Sequence, residues 1–438
     1  MFSIWRKYPP SNKILKNTLS LGTGQVLTKL VSLVSIPIIA RMLGLEKFGE
    51  YTLIFSFVVL FGGLSDWGIH KLTIREVAKD EKSTNIYFTN TLFLRIILAV
   101  FFYLLMIGVA ILLNYSHIIT NLIIILGPLI LANSIVNTFV SLLNAQERMD
   151  ISAILLFIQS LITPVTVIPL LYFGFNLKTI FIILVTANIT LAILIGLLLM
   201  KRFFSFQLDS VNRETWKKIF IHSWPYALMA IVWMIYISNG SIILSKITDL
   251  SQVGLFNTSL KLILALFFIP GSLMMAFFPM MSRQITDQVK HNIKQSCEKS
   301  IKILLWIVLP LALLIFLFSN FFIQTLYGSE FIESAKVLKI LSISLVLFFI
   351  NSPLGYTILS STKVKNYVIF DVLMVTANVF LAVILSIKYG FIGPALAILC
   401  TEALTLVIRL LFLKNYLLIK LSFRNIVLRN KPNDYVRE

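Results

Sequence analysis

The chain predicts an all-α membrane protein, with about twelve transmembrane helices in two six-helix lobes around a central cavity and both termini cytoplasmic. Three observations carry that prediction. Apolar stretches fill the sequence almost end to end, Lys and Arg crowd into every second gap between them, and the two halves repeat one another with a shift of six helices.

The apolar content comes first because it excludes the most. Of 438 residues, 58% are hydrophobic, and the mean hydropathy of +0.91 rules out a soluble domain. A helix needs roughly 20 apolar residues to cross about 30 Å of hydrocarbon. Only helices or closed barrels satisfy their own backbone hydrogen bonds there. Taken in order, the predicted spans lie near 17–40, 47–69, 84–113, 119–143, 151–173, 177–200, 219–245, 253–281, 302–320, 335–360, 366–387 and 391–413.

With both termini inside, 27 of the 38 Lys and Arg residues fall in cytoplasmic segments, 7 on the opposite side and 4 within spans. Basic residues stay on the cytoplasmic side during insertion, so this split sets the orientation. It also accounts for the net charge of +19. The basic residues are spread over many short loops that fix topology and meet anionic head groups. No nucleic acid is expected as a partner. Cys297 and Cys400 offer neither a disulfide framework nor metal-ligand spacing. The basic N-terminal segment followed by a long apolar stretch reads as a retained first helix, because it lacks a small-residue cleavage site.

The loops argue against several classes and leave a membrane glycosyltransferase or polymerase as the less favoured alternative. Those facing outward, near 114–118, 174–176, 246–252, 321–334 and 388–390, are too short to hold the acid- or histidine-bearing domain of a membrane polymerase or glycosyltransferase. The inner segments contain no G-x-x-x-x-G-K-[ST] phosphate loop and no H-E-x-x-H zinc motif. No catalytic residue, metal ligand or cofactor is expected, and the residues left for function lie inside the membrane.

The repeat orders those spans. Ile38-Ile39-Ala40-Arg41 and Phe48-Gly49-Glu50-Tyr51 match Ile243-Leu244-Ser245-Lys246 and Val253-Gly254-Leu255-Phe256 at an offset of 205 residues. Tyr172-Phe173-Gly174-Phe175 matches Lys388-Tyr389-Gly390-Phe391 at an offset of 216. Both offsets place span n on span n+6. Parallel repeats of this kind build transporters with a cleft between two lobes, here predicted at 1–213 and 214–438.

The block Gly24-Gln25, Pro37-Ile38-Ile39-Ala40-Arg41-Met42-Leu43-Gly44-Leu45-Glu46-Lys47-Phe48-Gly49-Glu50-Tyr51, Asp66-Trp67-Gly68 and Arg75-Glu76 resembles the opening of polysaccharide and O-antigen flippases. These belong to the multidrug/oligosaccharidyl-lipid/polysaccharide exporter superfamily. Gly254-Leu255-Phe256, Lys261-Leu262, Pro270-Gly271, Phe278-Pro279, Ser282-Arg283 and Tyr389-Gly390-Phe391-Ile392-Gly393-Pro394-Ala395 extend the resemblance along the chain. It implies alternating access and movement of a polyprenyl-diphosphate-linked oligosaccharide between leaflets of the inner, cytoplasmic membrane. Polymerase and other polysaccharide-assembly proteins are implied as partners beside membrane lipids. Alternatives within the superfamily are a multidrug or organic-ion exporter and a peptidoglycan-precursor flippase. Where members of the family carry an acid in span seven, this chain has Ser238-Asn239, so no acid-based coupling is carried over to Asn239.

The intramembrane charges fit such a cargo. Lys29 lies about twelve residues into span one, roughly 18 Å from its start, and Arg95 and Lys261 are similarly deep. A charge near the bilayer centre costs at least about 2.5–3.5 kcal/mol, so it faces a cavity or a partner. Gly22, Gln25, Lys29 and Ser32 form one polar stripe, while Thr91 with Arg95 and Asn257 with Lys261 are i,i+4 pairs. The expected substrate cavity is therefore Lys29, Arg95, Lys261, Gln25, Asn257 and Asn239. The competing reading neutralises each cation with a helix-packing partner.

Glu402 shares a face of span twelve with Thr405 and Arg409. It either binds a coupling proton or sodium ion or pairs with Lys261. Asp66, at the inner end of span two, is a second ion-coupling candidate, though such positions also suit interfacial or capping residues, as does Asp371. Arg409 is read as snorkelling to the interface. The four histidines fall near span ends, which argues against a histidine relay.

Overall fold

The computed structural model of the protein describes residues 12–274, 287–359 and 364–416, with side chains over 22–274, 293–359 and 369–415. Every regular element among them is a helix. The Phe278-Pro279 and Ser282-Arg283 matches, the side chains of the N-terminal basic residues and the basic tail beyond 416 lie outside the described residues.

The first part of the chain forms α1 (Asn12–Leu43), α2 (Leu45–Asp66), α3 (Ile69–Lys79), α4 (Thr84–Leu112), α5 (His117–Leu126), α6 (Leu129–Ala145), α7 (Met149–Tyr172), α8 (Leu177–Arg202), α9 (Arg213–Ile247) and α10 (Leu250–Leu264). After a turn at 265–267 and a further helical segment at 268–274 come α11 (Asp287–Leu317), α12 (Ser319–Tyr327), α13 (Ser334–Leu359), α14 (Val364–Tyr389) and α15 (Gly393–Tyr416). Among the described residues, eleven continuous helical stretches are long and apolar enough to cross a membrane. The last, Ile369–Asn415, turns at Gly390–Ile392 and holds both α14 and α15.

Local chemistry explains the helix ends. Gly44, at φ 75, turns α1 into α2, a left-handed conformation that favours glycine. The side chains of Ser116, Asn176 and Asn212 accept from the backbone N–H groups of Ile119, Thr179 and Thr215, capping α5, α8 and α9; these are donors the helix itself leaves unbonded.

Several of the expected single spans are broken, two of them for local reasons that the sequence carries. Span four divides at Gly127-Pro128 into α5 and α6. Pro128 has no N–H to give the carbonyl of Ile124, four residues back. The Tyr103 hydroxyl donates to that carbonyl instead, at 3.0 Å. Gly127 makes room for the ring, which would lie 2.2 Å from a Cβ. Span two divides after Asp66, where Trp67 and Gly68 are both left-handed.

The chain forms two compact units, 1–254 and 255–438. In the first, α1 packs on α7 with Gly24 against Ala153. Helix α2 runs beside α9, with Gly63 against Met234. Phe88, Val136, Phe139, Leu143 and Phe204 build a hydrophobic cluster in this unit. At one edge the Tyr115 hydroxyl lies 2.6 Å from Ser245 Oγ and Lys246 Nζ sits 3.5 Å from the ring centre. Burial pushes this hydroxyl up to about 12, opposed by its bond to Ser245. In the second unit α13 packs against α11 and α15, and α14 against α15, around Cys297, Ile301, Leu354, Ile358 and Phe412. Leu104, Leu198, Trp306, Leu313 and Ile387 are exposed. In water such apolar faces would be a liability; a bilayer requires them.

Candidate functional site

Of the residues expected to line a cavity, Gln25, Lys29, Arg95 and Asn239 lie in the first unit and Asn257 and Lys261 in the second. On α1, Gly24 is buried against Ala153. The flanking stripe of Gly22, Gln25, Lys29 and Ser32 is half-buried. Asn239 on α9 and Asn257 on α10 are buried, and Lys261, one turn after Asn257, is half-buried.

Arg95 is the largest fully buried side chain among the described residues, at 1% exposure. Its Nη2 lies 3.0 Å from Asp66 Oδ1. Asp66, read from sequence as a coupling or capping residue, thus supplies a partner to a deep cation. His70, read as a span-end residue, faces Asp66, Arg95 and the Asn137 backbone. The left-handed Trp67 turns the chain at the end of α2, and Asp66 and His70 face one another across that break.

In the second unit, Glu402 is joined to a chain of polar groups across three helices. The Asn351 amide of α13 donates to Glu402 Oε2 at 2.7 Å and to its backbone carbonyl at 2.9 Å. Arg409 donates from Nη1 to the Asn351 carbonyl at 2.7 Å and from Nη2 to Asp371 Oδ1 of α14 at 3.1 Å. Arg409 therefore does not snorkel: burial beside an acid on the next helix holds it inside the unit. Asp371, expected as an interfacial or capping residue, is its partner. A groove lined by Ile358, Phe370, Met374, Thr405, Ile408 and Phe412 encloses the pair. Beside it, Asn378 donates to Thr401 at 2.7 Å. Sequence reading missed Asn351, whose only signal was an amide inside an apolar run.

No group of three or more His, Cys, Asp and Glu side chains that could hold a metal occurs among the described residues. What the site offers is charge binding within apolar surroundings: a buried guanidinium on a half-buried carboxylate in one unit, and a buried carboxyl held by an amide in the other.

Fold and site together define a polytopic helical membrane protein whose chemistry-bearing residues lie inside its helices rather than in its loops. The solved structure of the lipid II flippase MurJ in an inward closed conformation has the same fold, with a TM-score of 0.73 at 15% identity over 93% of this chain and 88% of that one. An inward-facing multidrug resistance MATE family transporter of the MOP superfamily gives 0.72 at 15% identity, over 87% and 93%. A putative O-antigen transporter of Shigella flexneri is 24% identical over 407 residues, 88% of this chain and 94% of the relative. The capsular polysaccharide biosynthesis protein CapF of Staphylococcus aureus is 23% identical over 403 residues, 90% and 98% of the two chains. Residues 14–285 match the family described as polysaccharide biosynthesis protein. The chain belongs to that family.

Proposed function

We propose that this protein is a flippase, moving polyprenyl-diphosphate-linked oligosaccharide units across the cytoplasmic membrane for surface polysaccharide synthesis by alternating access. The observation that carries the reading is membership of the polysaccharide biosynthesis family together with nearly full-length similarity to a relative named as an O-antigen transporter. A third relative, the probable low-salt glycan biosynthesis flippase Agl15 of Haloferax volcanii, is 24% identical over 176 residues, 40% of this chain and 37% of the relative. In this reading the protein is a transporter and not a catalyst. Its lobes are 1–213 and 214–438, its termini are cytoplasmic, and polysaccharide polymerase and assembly proteins take its cargo onward.

The chemistry of the cargo supports the reading. A diphosphate is an anion that must leave water, and deep cations offset that cost where bare hydrocarbon does not. Lys29 and Lys261, each considered within its own unit, are the cations we assign to attraction of the anionic cargo, with Gln25, Asn239 and Asn257 as the polar candidates for the sugar. Arg95 has a different position, since Asp66 meets it. Glu402, held by Asn351, is our candidate for binding a coupling proton or sodium ion.

The test is translocation in proteoliposomes. Polyprenyl-diphosphate oligosaccharide added to one leaflet becomes accessible to an impermeant glycosidase on the other when the protein is present. Lys29→Gln with Lys261→Gln is expected to abolish that transfer while leaving the protein folded. Full transfer by the double variant overturns the assignment of the lysines, and no transfer by the wild type overturns the function.

A further inference from the structure

Two arginines share one aromatic ring in the first unit, where the turn between α6 and α7 meets the end of α8. Arg148 stands between α6 and α7, and Arg202 is the last residue of α8. The Arg148 guanidinium carbon lies 4.3 Å from the centre of the Phe203 ring, and that of Arg202 lies 5.5 Å from it. The two charges are thus within about 10 Å of one another, where salt leaves part of their repulsion unscreened. The ring face offsets some of that cost for each cation. Local structure fixes all three residues. Phe203 packs against the cluster in which Phe204, Phe88 and Phe139 are buried, and its amide donates to the Leu199 carbonyl at 2.7 Å. Opposite, Glu147 reverses the chain with φ 58. The Arg148 amide then donates to the Leu143 carbonyl at 2.8 Å, and the Ser152 hydroxyl donates to Asn144 Oδ1 at 2.6 Å.

The guanidiniums themselves are left open. Both arginines are exposed, and among the described residues neither guanidinium forms a hydrogen bond or an ion pair, with Glu147 and Asp150 beside Arg148 or with any other residue. A guanidinium stacked on a ring keeps its edge N–H donors free, in a planar fork that matches phosphate oxygens. Lys201, exposed beside Arg202, adds a third positive charge. The apolar surroundings say which phosphate fits. Helices α7 and α8 pack together, and Ile154 and Ile158 of the first and Leu194, Leu197 and Leu198 of the second are exposed. These side chains lie roughly 6–15 Å from the arginines along the helix axes. In a bilayer such faces are covered by acyl chains, and the charges stand where those chains end in head groups.

We propose that Arg148, Arg202 and Phe203 form a binding site for an anionic phospholipid of the bilayer. Its phosphate sits in the guanidinium forks, and its acyl chains lie on the exposed faces of α7 and α8. The site differs from the general attraction of basic loops for head groups, because the fold places both arginines on one ring. The bound lipid ties the turn between α6 and α7 to the end of α8. It is a resident of the membrane and not the cargo, so the site stands apart from the flippase reading.

The experiment adds phosphatidylglycerol or phosphatidylcholine to the purified full chain in detergent. It counts retained lipid by native mass spectrometry, beside a melting curve. The wild type is expected to retain phosphatidylglycerol and to melt higher with it than with phosphatidylcholine. Arg148→Gln with Arg202→Gln is expected to weaken retention about thirtyfold, the worth of two charges at the membrane surface. Arg148→Lys with Arg202→Lys is expected to fall between, since lysine keeps the charge and loses the fork. Lys217→Gln with Lys218→Gln removes equal charge from exposed positions on α9 and is expected to change retention by no more than about twofold. Equal losses from the arginine and lysine pairs overturn the proposal, because retention is then general surface charge. A wild type without preference for phosphatidylglycerol overturns it too, and that measurement needs no variant to fold. Inorganic phosphate that raises the melting temperature as far as phosphatidylglycerol does overturns the lipid as ligand. So does displacement of phosphatidylglycerol by an equal concentration of polyprenyl-diphosphate oligosaccharide, which would make this a cargo site.

Discussion

Gly49 of α2 and Gly254 of α10 lie backbone against backbone in a reciprocal contact. A Cβ on Gly49 would stand 1.8 Å from the Leu250 carbonyl oxygen and 3.0 Å from the Gly254 nitrogen. A Cβ on Gly254 would stand 2.5 Å from the Leu45 carbonyl oxygen and 3.3 Å from the Gly49 nitrogen. Leu45 and Leu250 each precede their glycine by one helical turn, and the two glycines are the matched positions of the internal repeat. The repeated turn thus carries glycine for a physical reason: both helix starts approach closer than any side chain allows.

That crossing predicts a sharp contrast between glycines. Gly49→Ala is expected to lower stability in detergent by about 1–3 kcal/mol, because the obstructing atoms are backbone and cannot rotate away. At Gly108 of α4 an added methyl would meet nothing within 4 Å, so Gly108→Ala is expected to raise stability by about 0.5–1 kcal/mol through helix propensity. Thermal unfolding of the two variants side by side checks this; equal melting temperatures would contradict it.

The Asp371–Arg409 pair predicts a coupling between α14 and α15. Their side chains are 25% and 16% exposed, in surroundings made apolar by Phe370, Met374 and Phe412. Asp371→Asn takes the charged partner from a largely buried guanidinium that still donates to the Asn351 carbonyl, at an expected cost of about 1–3 kcal/mol. Arg409→Gln costs a similar amount. In a double-mutant cycle the two losses are expected not to add, since either change removes the same contact; additive losses would show that the pair contributes nothing.

Glu402 separates a coupling role from a packing role. Glu402→Gln keeps an acceptor for the Asn351 amide while removing the ionisable group. As a coupling residue, Glu402 predicts that the variant stops responding to an imposed proton or sodium gradient yet still binds lipid-linked sugar. Transport assays in proteoliposomes, run beside a melting curve, decide it. Wild-type gradient response in the variant rules coupling out.

Topology is testable without substrate. Reporter fusions at Asn114, Asp249 and Ser329 are expected to read as external, and those at Asp80, Ser210 and Asn292 as cytoplasmic, from the distribution of Lys and Arg. Two or more fusions of opposite sign would overturn the orientation.

The sequence by itself determined that this is a helical membrane protein, and where most of its apolar spans lie. Apolar length is a local property that the bilayer reads directly, which is why the expected spans near 151–173 and 177–200 fall on Met149–Tyr172 and Leu177–Arg202. It also singled out Arg95, Asp66, Glu402 and Arg409, because an ionisable residue in an apolar run stands out whatever surrounds it. Only the tertiary structure decided their partners. Arg95 meets Asp66 across two helices and a left-handed break, and Arg409 meets Asp371 across another pair. Such meetings depend on how each helix is rotated about its axis, and that rotation is set by contacts such as Gly63 on Met234 or Gly68 on Ala227. Hydrophobic pattern is a weak guide to rotation here, since lipid and protein interior are equally apolar and a membrane helix shows similar residues on both faces.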